Sequence, residues 1–176
     1  MDLRHEAMLM LDKRGAVLET ARTVSRVLRE HHIRGAVIGG VAVVLHGHVR
    51  TTKDVDVLIQ QPLEPLRGVL ESEGFEFDSA QGEFRRDAVP VHLVPQDMVT
   101  PAPKTFVEIE DITTLRLADL ISIKLHSGTR NIARAQDLAD VIGLIRQHQL
   151  SPSYASQIDP PVRAEFRKLA KAVRRG

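Results

Sequence analysis

Gly39-Gly40-Val41-Ala42-Val43-Val44-Leu45-His46-Gly47-His48-Val49-Arg50-Thr51-Thr52-Lys53-Asp54-Val55-Asp56-Val57-Leu58-Ile59 is the stretch from which the rest of the chain is read. It follows Ala36-Val37-Ile38, a short apolar run of the kind that forms a buried strand. Gly39 and Gly40 lack Cβ atoms, so they allow a tight turn and a close approach of backbone to a ligand. Val41 to His46 then reads as a short helix whose first N–H groups can face an anion. After the polar link Arg50-Thr51-Thr52-Lys53, residues Lys53 to Gln60 read as a strand. Asp54, Asp56 and Leu58 share one of its faces, and Val55, Val57 and Ile59 share the other. Side chains two apart on a strand are separated by roughly 6.5–7 Å. Two carboxylates held that close repel unless a cation lies between them, and a divalent metal is the usual one. A phosphate-holding turn beside a cation-holding strand points to a Mg-dependent transferase acting on phosphates.

Outward from this stretch, Asp12 to His31 reads as an amphipathic helix with Val17, Leu18, Ala21, Val24, Val27 and Leu28 on its apolar stripe. On the other side, Pro62 to Glu73 reads as a helix with Gly74 as its C-cap. Phe75 to Phe77, Glu83 to Arg85 and Val89 to Val94 read as short strands of a meander, with another at Phe106 to Ile109. From Thr113 the apolar period becomes helical. Thr113 or Thr114 is expected to cap a helix that Ser127-Gly128-Thr129 ends, and Arg130 to His148 is expected to form the next, with Ile132, Ala135, Leu138, Ala139, Ile142 and Ile145 buried. Pro160-Pro161 opens a last, basic helix to Arg175. The expected architecture is α+β, with a core over residues 1–112 and a helical segment over 113–176 packed on it as one compact unit.

The composition fits a single globular core. The chain has 176 residues, 43% of them hydrophobic and 27% charged. With no cysteine it has neither disulfides nor thiolate metal sites, which suits a reducing compartment. No apolar run approaches the roughly 18 residues of a membrane span, so a cytoplasmic protein without a membrane is expected. The net charge of +1 argues against wholesale coating of nucleic acid. Basic residues do recur at Arg22, Arg26 and Arg29, and again from Arg163 to Arg175. These read as solvated helix faces or, if they share one side, as a guide for RNA.

Strand, Gly-Gly, short helix, Arg-x-Thr-Lys and Asp-x-Asp on a second strand together resemble the first motif of the polymerase β-like nucleotidyltransferase superfamily. The resemblance implies that fold, with a mixed sheet and flanking helices. It also implies that Gly39 and Gly40 hold the triphosphate of an NTP, with Arg50 or Thr52 assisting, and that Asp54 and Asp56 bind two Mg²⁺ ions. The superfamily usually adds a third acid on a neighbouring strand, and the matching position here is His92 in Val91-His92-Leu93-Val94. An imidazole suits hard Mg²⁺ poorly, which leaves three readings: His92 as a metal ligand, His92 as a rim residue, or Glu83 or Asp87 as the missing carboxylate.

Further on, Leu120-Ile121-Ser122-Ile123-Lys124-Leu125 and Arg134-Ala135-Gln136-Asp137-Leu138-Ala139-Asp140 resemble the helical pair of the AbiEii-type nucleotidyltransferases, which include toxins of toxin–antitoxin systems. By that resemblance Lys124 contacts the triphosphate and Asp137 orients the lysine or the acceptor. A plain salt bridge between packed helices explains the same residues. The implied activity is transfer of an NMP from an NTP to a hydroxyl of RNA, of a protein or of a small molecule. The alternative is a catalytically impaired relative that serves as an antitoxin or regulatory partner of a cognate protein.

Overall fold

A computed structural model describes residues 15–60 and 64–175. Among these residues seven strands form one mixed sheet: β1 (Gly35–Ile38), β2 (Val55–Ile59), β3 (Glu76–Asp78), β4 (Glu83–Arg86), β5 (Val89–Pro95), β6 (Phe106–Ile109) and β7 (Ile112–Leu115). Their order across the sheet is β3-β4-β5-β2-β1-β7-β6. The central strands β1 and β2 are antiparallel to each other, β2 is parallel to β5, and β1 is parallel to β7. The described helices that flank the sheet are α1 (Ala16–Glu30), α2 (Gly39–Leu45), α3 (Glu64–Ser72), α4 (Leu117–Arg130), α5 (Ala135–Gln147) and α6 (Arg163–Val173).

The alternation of β2 serves two cores. Val55, Val57 and Ile59 pack with α1, Leu66 and Leu70 on one face, as their period-two pattern requires. Leu58, on the face of Asp56, joins Ala36 and Ile38 under α4, α5 and α6. The short helix α2 straddles both, with Val41 and Val44 in the first core and Ala42 and Val43 in the second. The two aspartates therefore emerge at the open end of a strand whose remaining length is buried on both sides.

Several boundaries differ from those expected. Helix α2 starts within the glycine pair at Gly39, and β2 starts at Val55, which leaves Asp54 in the approach to the strand. The expected caps Thr113 and Thr114 lie in β7 instead; the Thr114 hydroxyl donates to the Val37 carbonyl, and the helix starts only at Leu117. Four residues of apolar and β-branched character suit either state, and pairing with β1 and β6 decides it. Gly128 does not end α4. A Cβ there would lie 2.8 Å from Leu138 Cγ, so the glycine lets α4 and α5 approach. Helix α5 is also rotated from the expected face. Ile132 is 92% exposed, Ala135 and Ala139 are exposed and Leu138 and Ile142 are half-buried; of the expected set only Ile145 is buried, and Asp137, Asp140, Val141 and Leu144 face inward with it. The parts of the expected helices at residues 12–14 and 62–63 lie outside the described residues. Among the described residues no helix is long and apolar enough to cross a membrane.

Candidate functional site

The turn between β1 and α2 touches the carboxylates directly. Gly39 has a φ of +65°, and a Cβ on it would collide with the Asp56 carboxylate. A Cβ on Gly40 would sit 2.6 Å from Thr52 Oγ1. Both positions need the smallest residue, one for its backbone and contact and the other for contact alone. Thr52 is buried, and its hydroxyl donates to Asp54 Oδ1 at 3.1 Å. The pair of glycines, the threonine and the two aspartates thus form one packed corner.

Strand β5 supplies the third corner. In its parallel pairing with β2, His92 stands opposite Asp56. Its Nδ1 lies 3.1 Å from Asp56 Oδ1 and 3.8 Å from Asp54 Oδ2. One ligand atom from each of Asp54, Asp56 and His92 lies within 4.8 Å of the others, which is compact enough to hold a metal ion. On its far side, His92 Nε2 is 2.9 Å from Glu83 Oε2, and Glu83 Oε1 is 2.6 Å from Arg85. Glu83 therefore stands behind the imidazole and is not a substitute for the missing carboxylate. Asp87 is exposed in the β4–β5 turn and takes no part.

Charge follows this geometry. Burial, joined by the Asp54 charge, pushes the Asp56 carboxyl above its ordinary range against the pull of His92 and Lys124. For His92 burial opposes protonation, but hydrogen bonds to Glu83 and Asp56 and the charges of both aspartates outweigh it, so its pKa rises.

Across the cleft, α4 and α5 present a wall of paired charges. Lys124 is buried, with Nζ 2.8 Å from Asp137 Oδ1 and 2.7 Å from Asp140 Oδ2. Arg50 Nε reaches Asp140 Oδ1 at 2.9 Å, and Arg134 Nε reaches Asp137 Oδ2 at 3.0 Å. The Arg50 nitrogen and Asp140 Oδ2 lack well-aligned hydrogen bonds, so these two contacts are Coulombic. Burial raises the Asp137 carboxyl, but the charge and hydrogen bond of Lys124 and the bonds of Ser127 and Arg134 prevail and hold it below its ordinary range. Three cations against two carboxylates leave this wall net positive.

A cleft of about 640 Å³ joins the two sides, lined among others by Gly39, Gly40, Asp54, Asp56, Lys124 and Asp137. It thus brings the glycine turn, the aspartates and the lysine of the second motif to one cavity, with Arg50 and Thr52. Met98, Val99, Thr100, His126 and Arg130 also line it. Arg130 stands between the two runs of the second motif, but the sequence shows no role for the other four: a loop residue shows no period, and His126 sits on a helix with no partner nearby in sequence. That partner is Asp159, whose Oδ2 lies 2.7 Å from His126 Nε2.

No protein-family model matches the chain. No curated protein matches it. Solved structures do share its fold. An antigenic nucleotidyltransferase-like protein from Paracoccidioides brasiliensis superposes with a TM-score of 0.54 at 19% identity, over 73% of this chain and 74% of that one. ANT(2")-Ia in complex with adenylyl-2"-tobramycin superposes with a TM-score of 0.53 at 14% identity, over 89% of this chain and 96% of that one. The α+β arrangement of sheet and helices is therefore the nucleotidyltransferase fold.

Proposed function

We propose that this chain is a nucleotidyltransferase, of the AbiEii type by its second motif, that moves an NMP from an NTP to a hydroxyl. One observation carries the reading. A single cleft holds two carboxylates beside a glycine turn at one side and a net-positive wall at the other. A triphosphate with its cation needs that polarity, since the cation sits on carboxylates and the phosphates meet cationic side chains. Asp54 and Asp56, with His92, would hold the divalent cation; the donor set fits one in number and spacing. When bound, the cation neutralises phosphate charge and acidifies a hydroxyl. Gly39 and Gly40 let backbone approach the phosphates. Arg50, Lys124, Arg130 and Arg134 supply positive charge, and Asp137 fixes the Lys124 ammonium in place. In the transfer, a bond forms from the acceptor oxygen to the α-phosphorus. The α–β anhydride breaks, pyrophosphate leaves, and the hydroxyl proton passes to water. The acceptor class stays open among an RNA end, a protein and a small molecule.

Titration calorimetry with each NTP, with and without Mg²⁺ or Mn²⁺, tests the reading on wild type and on Asp54→Ala/Asp56→Ala. The expected result is cation-dependent binding that the double variant loses. Binding absent from wild type, or equal in both proteins, sinks it. A second reading is favoured by His92 standing where the superfamily usually places an acid: an impaired relative acting as antitoxin or regulatory partner. It is distinguished by nucleotide binding without transfer of label from an α-labelled NTP into a cell lysate.

A further inference from the structure

The proposed reaction needs a cation, and the donors available to it are unusual for Mg²⁺. Mg²⁺ takes oxygen ligands in near-ideal octahedral geometry and keeps several waters. An imidazole is a softer donor that suits first-row transition ions. His92 Nδ1 faces the aspartates at 3.1 and 3.8 Å. At metal–ligand distances of about 2.1–2.2 Å, adjacent octahedral ligands stand about 3.0 Å apart, close to the His92–Asp56 spacing. The 3.8 Å gap to Asp54 closes with a small turn of a side chain that is part-exposed.

The ring is also held as metal-ligating imidazoles usually are. Such a histidine directs its other ring nitrogen to a carboxylate or carbonyl, which fixes its tautomer and raises its basicity. Glu83 fills that place, with Oε2 2.9 Å from Nε2. The Glu83 side chain is 11% exposed, and its other oxygen is anchored by Arg85 at 2.6 Å. With Nε2–H donated to Glu83, Nδ1 is the nitrogen left to face the aspartates. A histidine at the rim without duty has no need of a buried carboxylate behind it.

We infer that Asp54, Asp56 and His92 form a two-carboxylate, one-imidazole site that takes a transition divalent ion such as Mn²⁺ in preference to Mg²⁺, with Glu83 as the residue that positions His92. This rests on the nucleotidyl-transfer reading only for the place of the cation, and the test runs without nucleotide. Mn²⁺ binding is followed by loss of the free-ion EPR signal, and Mg²⁺ binding by competition, on the full chain at one fixed pH. In wild type, pulsed EPR of bound Mn²⁺ is expected to carry a ¹⁴N coupling from the imidazole. In His92→Asp that coupling disappears and the Mn²⁺-over-Mg²⁺ preference falls at least about tenfold, while in Glu83→Gln Mn²⁺ affinity falls about 10–100-fold. Three results overturn the inference: Mn²⁺ binding without nitrogen coupling, an unchanged preference in His92→Asp, or no ion bound by wild type. NTP binding with Mg²⁺ that survives in the first two cases leaves the transfer reading standing while this one falls.

Discussion

Asp56 carries a burden that the cation-free protein does not relieve. Burial and the neighbouring Asp54 charge raise its pKa, so the folded state holds a proton more tightly than the unfolded chain. The sign follows. Between the ordinary carboxylate pKa and the raised one, the native state binds more protons, so stability falls as pH rises through that window. Above that window the charged Asp56 opposes folding until a cation joins it. Asp56→Asn is expected to raise the melting temperature of the cation-free protein by a few degrees at pH 7 while abolishing cation binding, read by calorimetry with and without Mn²⁺. A lower melting temperature in the variant would mean that the His92 contact outweighs desolvation. Asp137 behaves oppositely. Its lowered pKa gives stability that is present above the ordinary carboxylate value and is lost as pH falls through the lowered one. The acid limb of the wild-type stability curve, below about pH 4, should therefore flatten in Asp137→Asn, as measured by urea midpoints.

At the scale of elements, the turn Ile38-Gly39-Gly40 is where backbone and site chemistry meet. A residue other than glycine held at positive φ costs about 1–3 kcal/mol. Gly39→Ala adds a collision with Asp56 to that penalty. Gly74, at φ +87° and with open space where a Cβ would stand, carries the backbone penalty alone. Gly74→Ala is thus the matched control. Gly39→Ala should lose more stability in urea than Gly74→Ala, and only Gly39→Ala should weaken Mn²⁺ binding. Equal losses with unchanged affinity would separate the turn from the site. This turn is legible in the sequence because two glycines ahead of an apolar helix have few other readings. The Asp-x-Asp strand is legible because its period-two pattern puts both acids on one face. Strand β7 is not, since Ile112-Thr113-Thr114-Leu115 carries no period of its own and becomes a strand by pairing with β1 and β6. The inward face of α5 is hidden for a related reason. An apolar-stripe pattern excludes Asp137 and Asp140, yet both face inward because Lys124 pairs with them and offsets part of their desolvation cost. From sequence Glu83 reads only as a replacement acid, because register between β4 and β5 cannot be read from short strands.

For the whole molecule, the cleft ties the two cores together. Asp54 and Asp56 stand at the end of β2, whereas Lys124, Arg134 and Asp137 stand on or beside helices that pack in the second core. That core rests on Phe166 of α6, which is fully buried, with its ring centre 5.8 Å from that of Tyr154. Phe166 lies outside the cleft lining, yet Phe166→Ala should cost about 3–5 kcal/mol through the cavity it leaves. A ligand that bridges both walls stabilises by mass action, by about 2.7 kcal/mol at one hundred times its Kd. In wild type, Mn²⁺ with an NTP should therefore slow amide exchange in β2 and in α4 and α5 together. In Phe166→Ala the same ligand should recover part of the lost melting temperature, because a ligand bound across both walls stabilises the folded state whatever weakened it. Protection confined to β2 would place the ligand on the aspartates alone, and Arg50, Lys124 and Arg134 would then be an ion-pair network that holds two helices to the sheet.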